Sequence, residues 1–284
     1  MTTQTAPKPK RPVRVPGVAL VGDLRGRVQT GITTTGAMIV LAVEATKAIF
    51  TDIATRKFSW TEALFQAWFM TKVSLLPTIL VAIPFGVIVS VQIGGIADQI
   101  GAISFSGAVN GIGVLRQGAP LVTSLMIAGA VGSALCSDIG ARTVREEVDA
   151  LRVMGINPVN RLVAPRLFAA IIVALLLNVI VAVTAIGTGY FLNVGSGNVS
   201  SGTYMSSFVS FAQPTDLLLA EFKAAIFGFI ATIVAAHKGL NAKGGPKGVA
   251  DAVNQAVVLS FILLSVVNVG LTQAYVMLAP QRIA

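Results

Sequence analysis

Twenty-five consecutive residues without a charge, Val73–Ala97, constrain this chain more than any motif in it. An α-helix rises about 1.5 Å per residue, so this run is long enough for the roughly 30 Å hydrocarbon core of a bilayer. Within one such segment only a helix satisfies every backbone polar group. The pattern recurs. Gln117–Ser137 has 21 uncharged residues, and a run from Leu167 stays uncharged until Asp216. Residues 217–236 are interrupted only by Glu221 and Lys223, and Ala252–Gln281 close the series. Charged residues are 12% of the chain, against about 25% in soluble domains. The expectation is an all-α integral membrane protein with five transmembrane helices at about 73–97, 115–137, 167–192, 216–237 and 252–279.

The net charge of +9 would direct a soluble protein toward nucleic acid, but its placement argues for membrane topology and no nucleic-acid partner. Six Lys and Arg lie in the first 27 residues, five between Arg142 and Arg166, and three between Lys238 and Lys247. The loops at 98–110 and 193–215 have none. Positive charge stays on the cytoplasmic side, so the chain is expected in the cytoplasmic (inner) membrane with its N-terminus inside and its C-terminus periplasmic. Residues 1–27, rich in Pro, Thr and basic side chains, read as a disordered cytoplasmic tail. Residues 28–43 are shorter than the about 20 apolar residues a span needs, and no small-residue cleavage site follows them, so an interfacial helix is favoured over a signal peptide or a full span. Residues 44–72 mix charges with Trp60 and Trp68, which suits amphipathic helices in the headgroup layer. N-terminal interfacial helices are thus expected over 28–72.

The connector Asp138–Arg166 is charge-dense. Thr143 and Glu146 have capping-box spacing, which predicts a helix starting near Val144. Val144, Val148 and Leu151 share one face, Gly155 is placed to end the helix, and Asn157-Pro158 prevents its continuation. On these features alone the helix is either a solvated spacer or a docking element for a cytoplasmic partner. The chain has no G-x-x-x-x-G-K-[ST] loop, and GGPKG at 244–248 has the wrong spacing for one.

The run AGAVGSALCSDIGARTVREEVDALRVMGINPVNRLVAPRL (128–167) resembles the signature of the MlaE/YrbE family of ABC-transporter permeases. KAAIFG (223–228) and GGPKGVADAVNQAVV (244–258) add weaker matches, and the resemblance covers about residues 25–280. It is most like the YrbE branch, which serves mammalian-cell-entry (Mce) lipid importers. The resemblance implies a permease domain over 73–284 and a cytoplasmic coupling helix at about 143–155, with Arg145, Glu146, Glu147, Val148, Asp149, Leu151, Met154 and Gly155 contacting an ATPase. It also implies two ABC ATPase subunits, a second YrbE-type permease, an Mce protein ring and a lipid substrate. No cofactor is expected in this chain, since ATP and Mg would be bound by the partner ATPase. Relatives carry a Glu where this chain has Gln117, so a role for that acid does not transfer.

Pro77 and Pro84 lack amide donors and are expected to kink the first span. A substrate path is expected there, bordered by Ile83, Val87, Val91, Leu115 and Gln117. Arg116, Glu221 and Lys223 read as side chains snorkelling to the headgroups. Gly107-x-x-x-Gly111 reads as close helix packing. The single Cys136 and single His237 exclude a disulfide framework and a dedicated metal site, and are read as a small apolar residue and an interfacial anchor. An ion-coupled transporter or channel would need coupling carboxylates in mid-span. A lipid-modifying membrane enzyme would need clustered nucleophile and His residues. The sequence favours neither.

Overall fold

The computed structural model describes residues 16–56, 58–197 and 199–278. Residues 1–40 form one unit, whose described part is the first portion of α1 (Pro16–Ala54). The tail expected to be disordered over 1–27 is therefore helical from Pro16, a residue whose fixed φ suits a first helical turn. Residues 1–15 lie outside the described residues.

Residues 41–284 form the second unit. After a short turn, α2 (Trp60–Gln99) runs 40 residues without a break, through both Pro77 and Pro84. Of the residues expected to form interfacial helices over 28–72, those up to Ala54 belong to α1, whereas 60–72 are the first turns of the first span. Nothing in that stretch ends a helix: it holds no Pro or Gly, and Gln66 Nε2 donates to Glu62 Oε1 one turn earlier at 2.8 Å. Phe58, Trp60 and Phe168 stack edge to face at 5.0–5.5 Å and fix the start of α2 against the third span.

The second span extends from Ile103 to Val144, beyond the expected 115–137 at both ends. It joins α3 (Ser106–Gly113), α4 (Ala119–Met126) and α5 (Gly132–Val144) through two π-helical segments, Val114–Gly118 and Ile127–Val131. After α6 (Glu147–Val153), a third π segment, Val159–Val163, leads into α7 (Ala164–Gly195). Next come α8 (Ser201–Phe211), α9 (Pro214–Leu240) and α10 (Gly245–Leu278). Among the described residues, five helical stretches are thus long and apolar enough to cross a membrane, as expected. They run alternately up and down. α7 packs on α2 and α9, and α5 packs on α9 and α10. One end of the bundle carries α6 and is called here the connector end; the other carries α8.

The Gly/Ser-rich stretch after α7 reads as a loop in sequence but contains α8. Ser200 caps that helix by accepting from the Thr203 amide at 3.2 Å. Tyr204 is buried beneath it, its Oη accepting from Asn110 Nδ2 at 2.9 Å, and Asn110 also donates to Ser90 Oγ at 3.0 Å. Burial raises the Tyr204 phenol above its ordinary pKa, and the Asn110 hydrogen bond opposes that rise. Gly107 and Gly111 let α3 meet α8 closely: a Cβ on Gly107 would collide with the Tyr204 carbonyl, and one on Gly111 with the Phe208 ring. Gly107→Val is therefore expected to cost about 1–3 kcal/mol. Thermal unfolding in detergent measures this against Gly129→Ala, where the added methyl would meet nothing within 4 Å. Equal midpoints for the two variants would contradict the packing described.

Candidate functional site

Two groups of polar residues stand out in the apolar bundle, one at each end. At the connector end, α5 continues through Val144, and the helix expected to start there begins at Glu147. Thr143 does not cap it. Its Oγ1 bonds back to the Ile139 carbonyl at 2.9 Å, the alternative open to a threonine inside a helix. The break falls at Arg145 and Glu146, and Glu146 adopts φ 60, a left-handed conformation uncommon outside Gly. Gly155 ends α6 as its position suggested: at φ 74 it donates to the Arg152 carbonyl, and Ile156 donates to the Leu151 carbonyl at 2.9 Å. These two bonds make a Schellman closure.

Ion pairs run across the α5–α6 junction, within α6 and behind it. Glu147 meets Arg145 at 3.1 Å and Arg142 at 3.6 Å, and Asp149 meets Arg152 at 2.8 Å. Asp138 accepts from Arg142 at 3.3 Å and from the buried Arg166 at 2.6 Å. Among the expected contact residues, Val148 is buried within this chain and Leu151 is half-buried, so Val148 is not free for a partner. Glu147 likewise finds its cations in its own chain. The exposed apolar surface lies one turn further on: Val153 is 89% exposed, Met154 64% and Ile156 41%. Sequence reasoning misses Val153 and Ile156 because the apolar face counted from Val144 runs through Val148 and Leu151. A face that stays apolar beyond the closing glycine is the available signal.

The second group lies toward the α8 end, between spans. Arg116 Nε donates to Asp216 Oδ1 at 2.7 Å, and Asp216 is fully buried. Lys223 is also fully buried. Its Nζ donates to the Arg116 carbonyl at 2.9 Å and to Thr272 Oγ1 at 2.7 Å. Pro120, four residues on, has no amide N–H, which leaves the Arg116 carbonyl for a side-chain donor. Glu221 accepts from Asn178 Nδ2 at 2.8 Å, and Asn178 Oδ1 accepts from Thr123. Gln117 is exposed, and its Oε1 accepts from Asn268 Nδ2 at 3.4 Å. Arg116, Glu221 and Lys223 therefore do not snorkel. They turn inward because partners lie there: Arg116 pairs with Asp216, Lys223 donates to a carbonyl and a hydroxyl, and Glu221 accepts from Asn178, which offsets the cost of removing each from water.

The five substrate-path residues do not converge. Ile83, Val87 and Val91 form a stripe along α2, with Ile83 and Val91 exposed, whereas Leu115 is buried in a cluster with Ala82, Val122 and Val181. The structure has a cavity of about 750 Å³ between α5 and α10, lined among others by Ser137, Val144, Arg145, Val249 and Val253, none of them among those five. Cys136 is buried in the second span, as expected of a small apolar residue. Among the described residues no cluster of metal-binding side chains occurs.

A bundle of five apolar helices, an ion-paired helix at one end and a buried polar cluster near the other define a multi-pass α-helical membrane protein. The chain belongs to the MlaE permease family, whose model, Permease MlaE, matches residues 63–274. It is 34% identical over 164 residues to a probable ABC transporter permease protein of Rickettsia bellii, covering 58% of this chain and 63% of that protein. It is 30% identical over 183 residues to a probable ABC transporter permease protein of Synechocystis, covering 64% of this chain and 70% of that one. It is also 30% identical to the chloroplastic protein TRIGALACTOSYLDIACYLGLYCEROL 1 of Arabidopsis thaliana, over 55% of this chain and 45% of that one. The chain thus spans somewhat under two thirds of the length of the Rickettsia relative.

Proposed function

We propose that this chain is the membrane subunit of an ATP-driven lipid importer and that α6 is the lever on which a separate ATPase acts. The observation that carries this reading is the apolar tip Val153, Met154 and Ile156, held outward on a helix pinned by ion pairs. A docking element needs both parts: exposed apolar surface for affinity and a fixed base for transmitting force. The names of the Rickettsia and Synechocystis relatives support an ABC-type assembly. In this reading the connector end is cytoplasmic, because Lys and Arg concentrate there, and the C-terminus is periplasmic. The chain supplies no nucleotide site. Two ATPase subunits, a second related permease and a ring of Mce proteins complete the complex, and fatty or mycolic acid-like lipids are its cargo.

Affinity purification from native membranes tests the reading. A nucleotide-hydrolysing subunit and a related permease should copurify, and mass spectrometry should find an acyl lipid bound to the intact complex. Recovery of the chain alone or only as a homodimer, without nucleotide hydrolysis, would overturn it. A second reading, ion-coupled transport, draws on the buried Asp216 and Lys223 and the partly buried Arg116 and Glu221. It predicts uptake that collapses with the ion gradient while ATP is still present.

A further inference from the structure

We infer that Arg166, Asp138, Arg142 and Glu147 form a linkage that makes α6 move as one body with the second and third spans, with Asp138 and Arg166 as its positioning residues. Its mechanical role rests on the proposed docking of α6 on an ATPase, since only then does α6 receive a displacement to pass on.

The backbone alone does not provide this link. The left-handed Glu146 interrupts the helical ladder between α5 and α6, so the junction is a hinge. Val148 is the single fully buried side chain of α6 and Leu151 is half-buried, so apolar packing holds α6 along one face only. The ion pairs add the second point of attachment. Glu147 Oε2 lies 3.6 Å from Arg142 Nη1, across the hinge. Arg142 Nε donates to one oxygen of Asp138 at 3.3 Å, and Arg166 Nη2 donates to the other at 2.6 Å. Arg166 Nη1 donates to the Leu162 carbonyl at 2.7 Å, which anchors the chain of pairs in the first turns of the third span.

One carboxylate, Asp138, thus joins the end of the second span to the start of the third, and Glu147 brings α6 to that junction. Arg166 is 1% exposed, so its bonds are shielded from competing water, whereas the Glu147 end is partly solvated. The linkage is stiffest where it enters the bundle and most yielding at α6. A planar guanidinium holding two acceptors at a fixed angle suits position 166, and lysine cannot reproduce that fork.

The test places spin labels at Ala150→Cys on α6 and Ile172→Cys on α7, both exposed in this structure, in a Cys136→Ala background. In the reconstituted full chain the 150–172 distance distribution should be narrow. It should broaden in Asp138→Asn and in Arg166→Lys, and narrow again in Asp138→Glu. If Asp138→Asn fails to insert, Arg142→Gln cuts the same chain at a half-exposed position. In the assembled transporter, Asp138→Asn should retain ATP hydrolysis while lipid moved per ATP falls about tenfold. Unchanged distributions in both Asp138→Asn and Arg166→Lys would overturn the linkage, as would broadened distributions with normal lipid moved per ATP. If no ATPase copurifies with the unmodified chain, the proposed function fails, and the distance measurement still decides whether the ion pairs hold α6.

Discussion

Asp216→Ala is expected to lower the stability of the bundle by about 3–5 kcal/mol, because it strands Arg116 between helices without its carboxylate. Asp216 is fully buried and accepts two guanidinium bonds, at 2.7 and 3.3 Å. Removing both partners tells a different story from removing one. Arg116→Met with Asp216→Ala leaves no uncompensated charge, and such replacements are often close to neutral. The double variant should regain most of the loss and keep a deficit of about 1 kcal/mol. That remainder is the cap on α9, where Asp216 and Gln213 bond reciprocally at the first turn. Thermal unfolding in detergent for the two single variants and the double gives the coupling energy directly. A double variant as unstable as the sum of the singles would show that the pair contributes nothing as a pair.

Val153→Asp combined with Met154→Asp should reduce ATPase recovery by more than a hundredfold while leaving the bundle's unfolding midpoint unchanged. Both side chains are largely exposed, so the fold loses little by their replacement. Burying each against a partner would contribute about 1.5–3 kcal/mol, and together they exceed the roughly 2.7 kcal/mol that a hundredfold change requires. Val148→Asp gives the opposite pattern: a buried position receives a charge, so the fold weakens first. Normal ATPase recovery with both tip residues replaced would remove α6 as the docking element.

The five spans are legible in the sequence because a bilayer imposes a minimum length of uncharged residues, and Val73–Ala97 meets it outright. Helix ends are not, since a charge marks where lipid contact stops and says nothing about where backbone bonds stop. Hence the charges of residues 60–72 set them apart from the helix they begin, and Thr143 has the spacing of a cap although it lies inside α5. Glycine and serines hide α8, although Tyr204, Phe208 and Phe211 recur at helical spacing. The connector's chemistry is visible as a run of charges, but its pairing is not. Arg166 and Asp138 are 28 residues apart, and no periodicity brings them together. The polar cluster is harder still: Arg116 and Lys223 are 107 residues apart. The usable signal is energetic. Four ionisable residues in or beside apolar spans are easier to accommodate with a charged or hydrogen-bonding partner than alone, and reaching such partners requires them to face inward.

The two π segments of the second span change how relatives of this chain are to be aligned. Each residue of a regular helix turns the chain by about 100°, so deleting one residue from an ordinary turn swings everything beyond it onto a different neighbour. A π segment already holds a residue in excess of the regular count. Deletion of one residue within Val114–Gly118 or Ile127–Val131 relaxes the bulge to ordinary helix and leaves the flanking faces in phase. A one-residue gap at either place is therefore compatible with unchanged packing. The same gap a turn away in α4 would turn α5, and with it Asp138, away from Arg166.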